Sequence, residues 1–110
     1  MNFVQISGIL GGLGVVFGAF GAHGLKNKEG MTEQRLQMFS TGAHYQMIHA
    51  VAIGALGHKC PKAAWAWIGG SLLFSGSLYL YGYTGTKTFG MIAPIGGTLF
   101  IVGWAALALS

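Results

Sequence analysis

Four apolar stretches, separated by short polar segments, fill most of the chain: Phe3–Ala22, Phe39–Gly57, Ala63–Tyr83 and Gly90–Leu109. Each is close to the roughly 20 residues that a helix needs to cross a bilayer. The pattern predicts an all-α protein, an integral membrane four-helix bundle with short loops, forming one domain over residues 1–110.

In the first stretch the small residues are ordered. Ser7, Gly11, Gly14, Gly18 and Gly21 recur at alternating intervals of four and three, forming one helical stripe where another backbone can come close. Ile6, Leu10, Leu13, Phe17 and Phe20 read as the opposite side, turned toward lipid. Gly8–Gly12 and Gly14–Gly18 also fit the GxxxG spacing, which we read as packing within the monomer.

A polar segment follows, from His23 to about Gln37, with Lys26, Lys28, Glu29, Glu33 and Arg35. Asn27–Gly30 has the look of a loop. Thr32 suits a helix N-cap and Glu33 the favourable first turn, so a helix should start here and enter the membrane near Phe39.

The second stretch is the least apolar, because it holds His44, Gln46 and His49. At helical spacing Ala43, Gln46, Ala50, Gly54 and Gly57 share a face, which sets Gln46 in a seam of small residues. Tyr45 and His49 are one turn apart. His44 lies about 140° around the helix from His49, so the two histidines do not converge on one ligand.

The third stretch has Trp65 and Trp67 at one end and Tyr79, Tyr81 and Tyr83 at the other, a pattern of interfacial aromatic belts. Ser71 and Ser75 are a turn apart among Gly69, Gly70 and Gly76. In the fourth, Pro94 falls near the start, where it is tolerated or kinks the helix. Gly96 and Gly103, seven apart, can line a packing seam.

Composition supports the membrane reading. Charged residues make up 7% of the chain, against about 25% in a soluble domain. The 20 glycines are scattered through apolar runs, which excludes collagen and disordered low-complexity sequence. The net charge of +4 comes from residues between the runs, as at a lipid headgroup, and not from a nucleic-acid-binding stripe. A lone cysteine, Cys60, forms no internal disulfide and no multi-cysteine metal site. Ala19-Phe20-Gly21 loosely resembles a signal cleavage site, but no Lys or Arg precedes the long apolar run, so it reads as a retained span. Lys26, Lys28, Arg35 and Lys87 in the first and third loops outnumber Lys59 and Lys62 in the second, favouring termini on the outer side.

Polar groups inside a bilayer are functional candidates, since burying them is costly. Here these are His23, Tyr45, Gln46, His49, Ser71 and Ser75; the alternative for each is a hydrogen bond between helices. Catalytic motifs are missing: there is no Walker loop, nucleophile elbow or HExxH, and Glu29 and Glu33 are the only acids. We therefore expect no enzyme, no metal site and no cofactor.

Gly18-Ala19-Phe20-Gly21-Ala22-His23-Gly24-Leu25 resembles the signature that ends the first span in a family of small membrane proteins. That family includes bacterial YgdD-like and YwdK-like proteins and eukaryotic transmembrane protein 256. The similarity continues through Ala43-His44-Tyr45-Gln46 with His49, through Leu73 to Tyr79, and through Pro94-Ile95-Gly96-Gly97 with Gly103-Trp104. His44 occupies a position the family's pattern leaves open, which turns attention to Gln46 and His49. The resemblance implies four spans, an uncharacterised activity and a bacterial plasma membrane location, with a mitochondrial membrane as the eukaryotic alternative.

The leading expectation is a structural or accessory membrane protein whose partners are lipid and either its own copies or a larger membrane complex. Gly11, Gly14, Gly18, Gly21, Gly54, Gly96 and Gly103 are its candidate packing residues. One rival is a small oligomeric transporter or channel using the polar set; another is a haem or quinone protein.

Overall fold

A computed structural model covers residues 1–110 and contains helices and no strands. The helices are α1 (Phe3–His23), α2 (Glu33–Leu56), α3 (Pro61–Gly70), α4 (Gly76–Thr84) and α5 (Lys87–Ala108). A π-helical turn, Ser71–Ser75, joins α3 to α4 without a break, so the two form one rod. The architecture is thus a four-helix bundle with short connections.

Local chemistry accounts for the helix ends. Asn2 and Gln5 form a reciprocal capping box at the start of α1. The Thr32 hydroxyl accepts the Arg35 amide to start α2, at the position the sequence marks. Pro61 stands in the first turn of α3, where its missing N–H costs nothing. The rod ends at Gly85, whose φ of 76° is a left-handed conformation that glycine adopts without strain. Between α1 and α2 the chain makes one 3-10 turn, Leu25–Asn27, anchored by the buried Leu25.

The helix α2 and the α3–α4 rod form the inner pair. α1 lies chiefly against α2, and α5 chiefly against the rod. The core runs through Ala52, Ile53, Cys60, Ala63, Trp67 and Phe100. Outer faces of α1 and α5 carry Val4, Ile9, Val15, Val16, Met91, Ile95, Ile101 and Val102, all exposed. Apolar walls of that extent suit lipid and not water. Both α1 and α5 are long and apolar enough to cross a membrane.

Several expectations need correction. Ile6, Leu10 and Phe17 do not face lipid: Ile6 and Leu10 pack on the core, and Phe17 stacks on Tyr79. Successive residues are about 100° apart on a helix, so the two stripes of α1 are neighbours and flank one interface. Leu13 and Phe20 are exposed as expected, and the rest of the lipid-facing side is Val4, Gly8, Gly12, Val15, Val16 and Ala19. The aromatic belts are also only half real. Trp65 is 60% exposed whereas Trp67 is fully buried, and Tyr79 points inward to Gln46. Pro94 is not at the start of α5 but well inside it, because the helix begins at Lys87. The Thr98 hydroxyl bonds the Pro94 carbonyl at that point. Cys60, in the short connection before α3, is buried in the core cluster.

Candidate functional site

Close approach of α1 and α2 comes first, because it sets the polar groups in place. The two helices run antiparallel, with Ser7 against Gly54, Gly14 against Met47, Gly18 against Ala43 and Gly21 against Phe39. A Cβ at Gly14 would stand 2.6 Å from the Met47 sulfur and one at Gly54 would stand 2.6 Å from the Ser7 hydroxyl. A Cβ at Gly11 would meet no atom within 4 Å, so this glycine borders the seam without closing it.

That seam lets Gln46, 4% exposed, reach across it. Its Nε2 donates to the Leu10 carbonyl at 2.7 Å. Its Oε1 accepts the Tyr79 hydroxyl at 2.5 Å. One carboxamide therefore ties α1, α2 and α4 together, and its two ends are fixed by what each partner can offer. A carbonyl only accepts, and here the phenol donates.

Ser75, fully buried, donates to the Gly42 carbonyl at 2.7 Å. Gly42 permits this contact, since a Cβ there would meet Tyr79, Leu78 and the Ser75 carbonyl within 3.3 Å. The π turn adds a residue to the rod, rotating α4 by about 100° relative to an unbroken α-helix. No feature of the apolar pattern signals that turn.

His49 is 3% exposed and has both ring nitrogens engaged. Nδ1 lies 2.7 Å from the Tyr45 carbonyl, and Nε2 lies 3.0 Å from the Trp104 indole nitrogen. A carbonyl can only accept and an indole can only donate, so Nδ1 carries the proton and the imidazole is neutral. The ring stacks on Phe100 with centroids 3.7 Å apart. The Trp67 ring lies 6.2 Å from that of His49 with its N–H buried and unpartnered, and the Ser71 hydroxyl is likewise buried without a hydrogen-bond partner.

Of the remaining candidates only Tyr45 joins His49, its ring stacked 6.3 Å away. Tyr45 is 41% exposed at the rim of a groove of about 430 Å³ between α2 and α5, which His49, Phe74, Phe100 and Trp104 also line. His23 is exposed at the end of α1, and His44 and His58 are exposed elsewhere on α2 and in the turn after it. No three of the His, Cys, Asp and Glu side chains lie close enough together to hold a metal ion.

On the far side of the rod, glycines act as sockets for aromatic rings. Gly70 faces Phe100, Gly96 faces Phe74 and Gly103 faces the Trp67 indole. A Cβ at Gly70 would come within 2.6 Å of the Phe100 ring, and one at Gly96 would strike the backbone of Phe74.

Arg35 emerges as a residue that the pattern alone does not reveal. As a loop charge it counts only toward orientation. In the structure its guanidinium donates to the carbonyls of Gly30, Gly82 and Tyr83, at 3.1, 3.1 and 2.7 Å. The clamp joins the start of α2 to the end of the rod, where helix carbonyls lack donors and a cation is favoured. Gly85, which ends that helix, is the one sequence signal that could have pointed to it. Lys28 adds a cation–π contact, 5.0 Å above the Tyr83 ring.

Residues 17–97 match a family described as a protein of unknown function (DUF423). Over 98% of this chain and 94% of the relative, the sequence is 35% identical to the UPF0382 membrane protein YwdK of Bacillus subtilis. Identity is 36% to a UPF0382 membrane protein of Haemophilus influenzae, over 97% of this chain and 90% of that one. It is 34% to the UPF0382 inner membrane protein YgdD of Escherichia coli, over 96% and 82%. No solved structure matches. None of these names assigns an enzymatic activity. Together with the apolar outer faces of α1 and α5, they place the chain in the UPF0382 (DUF423) family of membrane proteins, to which it belongs.

Proposed function

We propose that this protein is a structural or accessory component of a plasma-membrane assembly, held in the bilayer by four crossings with both termini outside. The observation that carries this reading is where its intramembrane polar groups go. Gln46, Ser75 and His49 make their hydrogen bonds to the Leu10, Gly42 and Tyr45 carbonyls and to Tyr79 and Trp104. Groups used in this way tie helices together and are not free to conduct a solute. A transporter would instead gather His23, Tyr45, Gln46, His49, Ser71 and Ser75 around shared water. The hollow that Tyr45 and His49 share is walled mainly by aromatic and apolar side chains.

The α2–α5 groove supports a second reading, a bound quinone, since flat aromatic walls suit a flat ring. Haem has less behind it, because both nitrogens of His49 are occupied and the other histidines are far apart.

Gentle extraction from native membranes followed by mass spectrometry of the intact particle tests the proposal. We expect a stoichiometric larger assembly. Recovery of self-associated protein alone, with solute flux in reconstituted vesicles, would establish the transporter reading instead, and an extractable quinone the second reading.

A further inference from the structure

At the end of the bundle that carries the first loop, a notch of about 410 Å³ runs beside the α1–α2 seam. Lys26 and Glu33 are its charged residues, Gln37 and Ser40 its neutral polar ones, and Gly18 and Gly21 line its α1 side. The order of these side chains matters. Along α2, Glu33 lies outermost in the first turn, Gln37 one turn further in and Ser40 nearly one more. At 1.5 Å per residue, Glu33 and Ser40 are about 10 Å apart along the helix. The lining thus passes from charged, through neutral hydrogen-bonding, to the bare glycine backbone of α1.

A phospholipid has the same layering: charged headgroup, ester carbonyls, then acyl chain. The two charges are available. Side-chain hydrogen bonds at this end of the bundle run through Asn27, Thr32 and Arg35, and neither Lys26 nor Glu33 takes part in them. One cation and one anion in the same notch complement a zwitterion and not a simple anion. The carboxylate favours a primary ammonium, which donates hydrogen bonds, over a quaternary one, which has none to give.

We propose that this notch is a binding site for a zwitterionic aminophospholipid. The Lys26 ammonium takes the phosphate, Glu33 the headgroup ammonium, and Gln37 and Ser40 the ester region. An acyl chain then descends along Gly21 and Gly18.

The test is native mass spectrometry of the full chain in mixed micelles with equal amounts of phosphatidylethanolamine, phosphatidylcholine and phosphatidylglycerol of identical acyl chains. We expect retained phosphatidylethanolamine to exceed phosphatidylcholine about threefold, as an interaction with an exposed charge allows. Glu33→Gln should remove that preference and raise phosphatidylglycerol retention, because Lys26 is then the only charge in the notch. Lys26→Gln should lower retention of all three. Circular dichroism of each variant checks that the helices remain. Equal retention of the three lipids by the unmodified protein would overturn the proposal. So would a phosphatidylethanolamine preference that survives Glu33→Gln in a folded variant.

Discussion

The inner helix α2 meets its neighbours by two different constructions. Against α1 the contact is lean: glycines, Ser7 and Ala43 bring backbones together, and one carboxamide spans the gap. Against the rod and α5 the contact is rich in rings, with His49, Phe74, Phe100, Trp67 and Trp104 interlocked over glycine sockets. In lipid there is no hydrophobic force to drive helices together, so close packing and hydrogen bonds must do so. The comparison shows two ways of meeting that need. Both set glycine against a partner's side chain, but at Gly14 that side chain is a flexible methionine, whereas at Gly70, Gly96 and Gly103 it is a rigid ring or its backbone.

The ring-filled side should be the less forgiving. At Gly96 a new side chain meets the Phe74 backbone, which cannot rotate away. Gly96→Leu should cost about 3 kcal/mol or more and give an aggregated or unfolded product on size-exclusion chromatography. A monodisperse variant of unchanged melting temperature would show that α5 does not sit on the rod as described.

On the lean side the obstacle at Gly14 is the end of a flexible methionine. Gly14→Ala should therefore be tolerated, whereas Gly14→Leu should destabilise by about 2 kcal/mol, read from thermal unfolding in detergent. Equal stability of the two variants would mean that the stripe faces lipid.

Gln46→Leu should cost about 1 kcal/mol, since it leaves the Tyr79 hydroxyl and the Leu10 carbonyl without this partner. A cellular phenotype from this variant with stability intact would indicate a functional role for the carboxamide beyond the bundle.

The smallest effect is predicted where nothing is touched. Gly8 and Gly12 lie inside α1 and have no atom within 4 Å of a new Cβ, so Gly8→Ala and Gly12→Ala should each stabilise by about 0.5–1 kcal/mol, through lost glycine freedom alone. A marked loss of self-association in these variants, measured by analytical ultracentrifugation, would identify the outer face of α1 as a dimer contact.

Much of the fold is legible in sequence because its signals are local. Four apolar runs, the Thr32 cap and the small-residue stripe of α1 each need only one stretch of chain. The features that lie beyond the sequence need a partner to be known. Gly70 and Gly103 become sockets only once Phe100 and Trp67 are opposite them. Tyr79 looks like an interfacial tyrosine until Gln46 faces it, and Arg35 like a loop charge until the end of the rod supplies its carbonyls. The π turn leaves no trace, because its residues are as apolar as those of a regular helix. Gln46 and His49 stand out in sequence as costly groups in a bilayer, but their partners on α1, α4 and α5 lie 36, 33 and 55 positions away.

A double-mutant cycle between Gln46→Leu and Tyr79→Phe, read as unfolding free energy in one detergent, tests most directly whether the buried polar groups serve to join helices. We expect a coupling of about 1 kcal/mol, with the double variant losing less than the sum of the single ones. Additive losses would mean that the two side chains do not interact, contradicting the structural role assigned to the polar interior.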